Sequence, residues 1–94
     1  MYKKVVKIDT QDSNYVERLF FEYNASKDII AFLMSKDEVK EQHLQKYLDS
    51  SEVKYAELEL AKASVTEKYR PEDMPANPQY LFNFKNEEIE YWVD

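Results

Sequence analysis

Two kinds of hydrophobic spacing divide the chain. In residues 2–9, YKKVVKID, apolar and polar side chains alternate loosely around the β-branched Val5, Val6 and Ile8. This predicts a short strand with Tyr2, Lys4, Val6 and Ile8 on one face and Lys3, Val5 and Lys7 on the other. From residue 12 the period lengthens. Val16, Leu19, Tyr23, Ile30 and Leu33 fall on one stripe, which predicts a helix over 12–34 with Asp12 or Ser13 as its N-cap. Ser26 interrupts the stripe, while Phe20, Ile29 and Phe32 widen it. An apolar arc that wide predicts a central helix with more than one neighbour.

Ser35-Lys36-Asp37-Glu38 has the form of a capping box, in which serine and glutamate each satisfy a free backbone N–H of the other. It predicts a short connection and an antiparallel second helix. Over residues 36–70 the apolar positions are Leu44, Leu48, Tyr55, Leu58, Val65 and Tyr69, with polar Ser51 and Lys62 at two places where the period expects apolar ones. An unbroken helix here would be about 50 Å long against about 33 Å for the first, so part of it would overhang. Asp49-Ser50-Ser51-Glu52 also resembles a helix start, which would break the segment near 49–51. No Gly or Pro enforces that break, and a continuous helix is the expectation. Glu59 and Lys62 offer one weak helical ion pair.

Pro71 ends the pattern, because the residue before a proline is pushed out of helical geometry. Residues 71–79, PEDMPANPQ, hold all three prolines and predict an extended linker. Alternation then returns over 80–93. Tyr80, Phe82 and Phe84, then Ile89, Tyr91 and Val93, flank a polar turn near Asn86 and predict a β-hairpin with one aromatic face. Trp92 points opposite to Tyr91. Either both sheet faces are covered, or Trp92 marks a contact site, which is the favoured reading.

Charge decides how these pieces pair. Lys3, Lys4 and Lys7 stand on the first strand, and Glu87, Glu88 and Glu90 at the start of the last. Opposite charges on paired strands stabilise by a few tenths to about 1 kcal/mol each. The expected fold is therefore α+β, mainly α, in a single domain over 1–94. A long antiparallel helical hairpin carries a small antiparallel sheet made from the N-terminal strand and the C-terminal β-hairpin.

Composition narrows the chemistry. The chain has 94 residues, no Gly, no Cys, one His and a formal net charge of −6. Without Gly there is no P-loop, no GxGxxG turn and no GxSxG elbow, since each needs glycine backbone geometry. Without Cys there is no disulfide and no thiolate metal site. Acidity disfavours direct binding to nucleic acid or to anionic lipid. No apolar run reaches the roughly 20 residues of a membrane helix, the N-terminal segment does not read as a signal peptide, and a cytoplasmic location is expected.

Three catalytic constellations fail on spacing. His43 follows Lys40 at the distance where a Glu-x-x-His ligand pair needs glutamate, so it reads as a surface histidine. Glu57 and Glu59 point to different faces of a helix and do not form an acid–base pair. Ser51 or Ser64 as nucleophile has only His43 as a possible base. No catalytic residue, cofactor or metal is expected.

The eight tyrosines carry more information. Tyr47, Tyr55 and Tyr69 recur along the second helix, and Tyr15 and Tyr23 lie on the first. They either flank an intramolecular core or present a partner interface, because tyrosine joins a large apolar body to a polar tip. The candidate interface is Tyr47, Tyr55, Tyr69, Trp92, Glu87, Glu88 and Glu90.

In its Lys-, Glu- and Tyr-rich, Gly-free composition and its shortness the chain resembles small proteins of AT-rich bacterial genomes and their phages. That likeness implies a phage or mobile-element origin. The leading functional expectation is a non-enzymatic protein-interaction or structural module that self-associates, with a dimer as first choice. The alternative is an acidic decoy or inhibitor whose C-terminal residues 71–94, net −5 by one basic and six acidic groups, occupy a basic groove of a nucleic-acid-binding protein.

Overall fold

A computed structural model of the chain describes residues 2–36 and 41–94, with the backbone alone for Glu41 and Gln42. Five elements follow one another: β1 (Tyr2–Lys7), α1 (Thr10–Met34), α2 (Glu41–Tyr69), β2 (Gln79–Asn83) and β3 (Glu88–Val93). The architecture is α+β and mainly α, a helical hairpin with one antiparallel three-stranded sheet from the two ends of the chain. Strand order is β1-β3-β2, so the last strand is central.

The register sorts the side chains by chemistry. Val6, Ile89 and Phe82 form one row on the face toward the helices, and Lys4, Tyr91 and Tyr80 form the next. On the outer face the rows are Lys3–Trp92–Gln79, Val5–Glu90–Leu81 and Lys7–Glu88–Asn83. Lys3 reaches Glu90 at 2.8 Å and Lys7 reaches Glu88 at 3.1 Å. The charges that predicted this pairing therefore meet across it.

The core lies where the roots of both helices cross the sheet. Val16 and Leu19 of α1 and Leu58, Ala61 and Val65 of α2 pack with Ile8, Ile89 and Tyr91, and Ile89 and Tyr91 are wholly buried. The Tyr91 hydroxyl donates to the Thr66 carbonyl of α2 at 2.7 Å, and burial, then the nearby Glu67 carboxylate, push that phenol up to about 12.

The start of α1 differs from the sequence expectation. The N-cap position is Asp9, in extended geometry and without a side-chain capping bond, and the helix begins at Thr10. Asp12 and Ser13 are engaged elsewhere. The Asp12 carboxylate accepts from Lys68 Nζ at 2.8 Å and from the Tyr69 hydroxyl at 2.7 Å, and Ser13 is buried. The Tyr69 hydroxyl also accepts the Asp9 N–H at 3.0 Å. Bonds from the far end of α2 thus fix where α1 starts.

α2 runs without interruption through 49–51, so the alternative start at Asp49 is not used. Ser35 closes α1: its N–H donates to the Ala31 carbonyl and its hydroxyl to the Phe32 carbonyl. The proposed reciprocal partner Glu38 lies outside the described residues. α2 stops at Tyr69, as Pro71 requires.

Residues 71–78 are more than an extended linker. Their backbone turns, with Met74 N–H donating to the Pro71 carbonyl at 3.0 Å, and Met74 is only 2% exposed in the core. Arg70 clasps the Met74 carbonyl at 2.6 Å. In a chain without glycine, Asn77 and Glu87 take the left-handed positions at φ 59° and 56°. Asn tolerates that geometry best.

Two predictions follow from these contacts. Tyr91→Phe should cost about 1 kcal/mol at neutral pH in chemical denaturation, for one lost hydrogen bond. The Tyr91 pKa is raised on folding, so its contribution is complete below the ordinary tyrosine pKa of 10.0 and is lost as pH rises toward about 12. The Tyr91→Phe variant should therefore lose less stability than the parent over that alkaline interval. Asp12 is the opposite case. The hydrogen bond from Lys68, then that from Tyr69, hold its carboxyl below the usual range. Asp12→Asn should lower stability at neutral pH, and the gap to the parent should close as acid titration carries the pH below the ordinary carboxyl value of 3.8.

Candidate protein-interaction surface

The apolar stripes of both helices are interrupted by polar residues, and the structure brings two of these together. Ser26 of α1 lies 3.2 Å from the Ser51 hydroxyl of α2, and its own hydroxyl also donates to the Tyr23 carbonyl at 2.6 Å. Both serines are buried. Among the described residues they are the last buried ones toward the hairpin tip. From Lys27 to Lys36 and from His43 to Ser50 every side chain is half-buried or exposed.

The reason is geometric. The helices run across the strands and leave the sheet on the β2 side. Along α2, Thr66 meets Tyr91 of β3, and Lys62 lies over the ring of Tyr80 in β2, 5.8 Å from its centre. Along α1, the hydroxyl of Thr10 bonds Glu87 just before β3, and Phe20 packs against Phe84 just after β2 at 6.1 Å. Beyond Phe20 and Leu58 neither helix has a strand beneath it. The overhang makes the molecule elongated, 54 Å against 26 and 18 Å.

An aromatic band marks the margin where the sheet stops. Tyr80 meets Phe82 edge-on at 5.8 Å, Phe82 stacks on Phe84 at 5.7 Å, and Phe84 leads through Phe20 to exposed Phe21. A cavity of about 220 Å³ opens there between Phe20, Leu58, Phe82 and Phe84, with Lys62 at its side. Burial draws the Lys62 ammonium down, but the Glu59 carboxylate at 2.9 Å, with Tyr80 and Tyr55 nearby, outweighs it and the net shift is upward. Lys62 is thus an ion-paired lysine and is held charged.

On the same side of the hairpin, farther out, Tyr23 and Tyr55 pack at 5.3 Å beside Leu48, Ser51 and Glu52, and Lys27 covers the Tyr23 ring. On the opposite side Tyr47 borders a second groove with Ile29 and Lys54.

The seven residues marked from sequence scatter over the molecule. Tyr47 and Tyr55 are exposed at 43% and 49%, on opposite sides of the hairpin. Tyr69 is half-buried at the core margin with its hydroxyl committed to Asp9 and Asp12. Trp92 is half-buried on the outer sheet face, in a row with Lys3 and Gln79 and beside the exposed Val5 and Leu81. Glu88 and Glu90 face lysines, and Glu87 accepts the Thr10 hydroxyl. α1 is also less enclosed than its wide apolar arc predicted, since Phe20, Ile29 and Phe32 are exposed.

One exposed feature went unmarked in the sequence reading. Val53, Ala56, Leu60 and Ala63, spaced three and four apart, lie on the outward side of α2, with Leu60 71% exposed. The seven-residue step from Val53 to Leu60 is the signal for it. Among the described residues no three His, Asp or Glu stand close enough to hold a metal ion, and no helix is long and apolar enough to cross a membrane. No protein-family model, curated protein or solved structure matches the chain.

The contrast between neighbouring leucines is measurable. Leu58→Ala, at a position only 3% exposed, should cost about 2–5 kcal/mol in urea unfolding. Leu60→Ala, two residues on, should stay within about 0.5 kcal/mol.

Proposed function

We propose that this chain is a non-enzymatic protein-interaction module that associates with a second copy of itself. One observation carries the reading: half of the helical hairpin has no second layer. Domains bury the apolar stripe of a helix against another layer. Here the sheet covers the roots of α1 and α2 only, and the remainder holds Ile30, Leu44 and Leu48 half-buried and Tyr55 exposed. A single chain of this size buries a limited share of its surface, and association is one means of adding stability open to a sequence without Cys.

The acidic-decoy alternative has less support. Of the six acidic groups in residues 71–94, Asp73, Glu88 and Glu90 already have lysine partners from β1. The C-terminal charge is therefore partly neutralised within the sheet.

Sedimentation equilibrium at rising protein concentration tests the proposal. The expected outcome is a dimer, with a melting temperature that climbs with concentration as mass action requires. A mass that stays monomeric at high micromolar concentration, with a constant melting temperature, would overturn it.

A further inference from the structure

We infer that the second copy docks overhang on overhang, so that the sheet-free half of each hairpin supplies the missing layer beneath the other. This rests on the self-association reading and adds to it the surface used.

The face in question is the one turned to the same side as the sheet. On α1 it follows Phe20, Tyr23, Ile30 and Met34, and on α2 Leu44, Leu48 and Tyr55. These positions recur at helical spacing, and the tyrosine pair with Leu48 fixes which side they occupy. The opposite side of the hairpin, with Tyr47 and Ile29, faces away from the sheet, and the Val53–Leu60 row faces outward from α2.

Three features favour a second copy as the occupant. The first is fit in length. Placed antiparallel, each overhang ends at the sheet of the other, so the dimer has two full layers: hairpin then sheet above, sheet then hairpin below. The four distal half-helices form a bundle, the usual solution for two helix pairs with apolar inner faces. The second is charge. Lys27 and Glu52, opposite in sign, both border this face, so it offers a second copy both signs of charge. The third is the state of the sheet edges. Edge strand β1 carries Lys3, Lys4 and Lys7, which deter strand pairing, whereas edge strand β2, Gln79–Asn83, has no charge at all. The distal part of α1 and α2 of the second copy would lie beside β2 and shield the unguarded edge.

The test compares substitutions on the two sides of α2. Leu48→Glu lies on the proposed contact and Leu60→Glu on the outward row. Circular dichroism establishes folding, and sedimentation gives the dimer constant. Leu48→Glu is expected to weaken the dimer by at least about a hundredfold, while Leu60→Glu changes it by less than about threefold. A dimer that survives Leu48→Glu and is lost in Leu60→Glu overturns the inference but keeps self-association. A parent protein that is strictly monomeric overturns both.

If Leu48→Glu does not fold, Leu48→Cys decides, since the chain has no other thiol. Leu48 lies near the middle of the overhang, where antiparallel copies bring equivalent residues together. Mild oxidation should yield a disulfide-linked dimer with Leu48→Cys and none with Leu60→Cys. Cross-linking of Leu60→Cys alone would overturn the inference.

Discussion

The structure depends on the burial of two side chains of the last strand, Ile89 and Tyr91. They are the central positions of both core-facing rows, and the helix roots close over them. The sheet is arranged around that strand. β1 pairs with it on one side and β2 on the other, and the Tyr91 hydroxyl ties it to α2. Because the strand comes last in the chain and β1 first, the sheet closes only when both ends meet. Its contacts span nearly the whole sequence, and pairing of that kind is slow to form because a long loop must close first.

That placement has a consequence at the other end of the molecule. The sheet is three strands wide, and the helices cross it instead of lying along it. A helix of 25 or 29 residues is about 37 or 43 Å long, whereas three strands span only about 14 Å. Most of each helix must project. The projecting part keeps enough apolar surface to pack, and Ser26 and Ser51 hold the two helices in register where the core ends. The open apolar surface of the hairpin is therefore a product of the same geometry that builds the core. Several polar residues near the core serve the fold, as with Lys62 on Glu59 and Asp12 under Tyr69.

Much of this was legible in the sequence. Alternation in residues 2–9 and 80–93, helical spacing between them, Pro71 as a stop and the lysine–glutamate match across the sheet are local or pairwise signals, and each survives in the fold. The candidate surface was legible only in part. Tyr55 and Tyr47 are exposed, but spacing could not tell that Tyr69 closes a clasp on Asp9 and Asp12, because its partners lie 57 and 60 residues away. Met74 was hidden for a similar reason: within a proline-rich stretch nothing in its neighbours marks it for the core.

Sequence by itself determined the elements, their order and the pairing of the two chain ends, because these follow from periodicity, proline geometry and the sign of charges. Tertiary structure decided which apolar residues are covered. The helix stripes read alike along their whole length, from Val16 to Leu33 and from Leu44 to Val65. Only the angle at which the helices cross a narrow sheet separates a buried half from an open one, and that angle is set by packing over Ile89 and Tyr91, not by any local pattern.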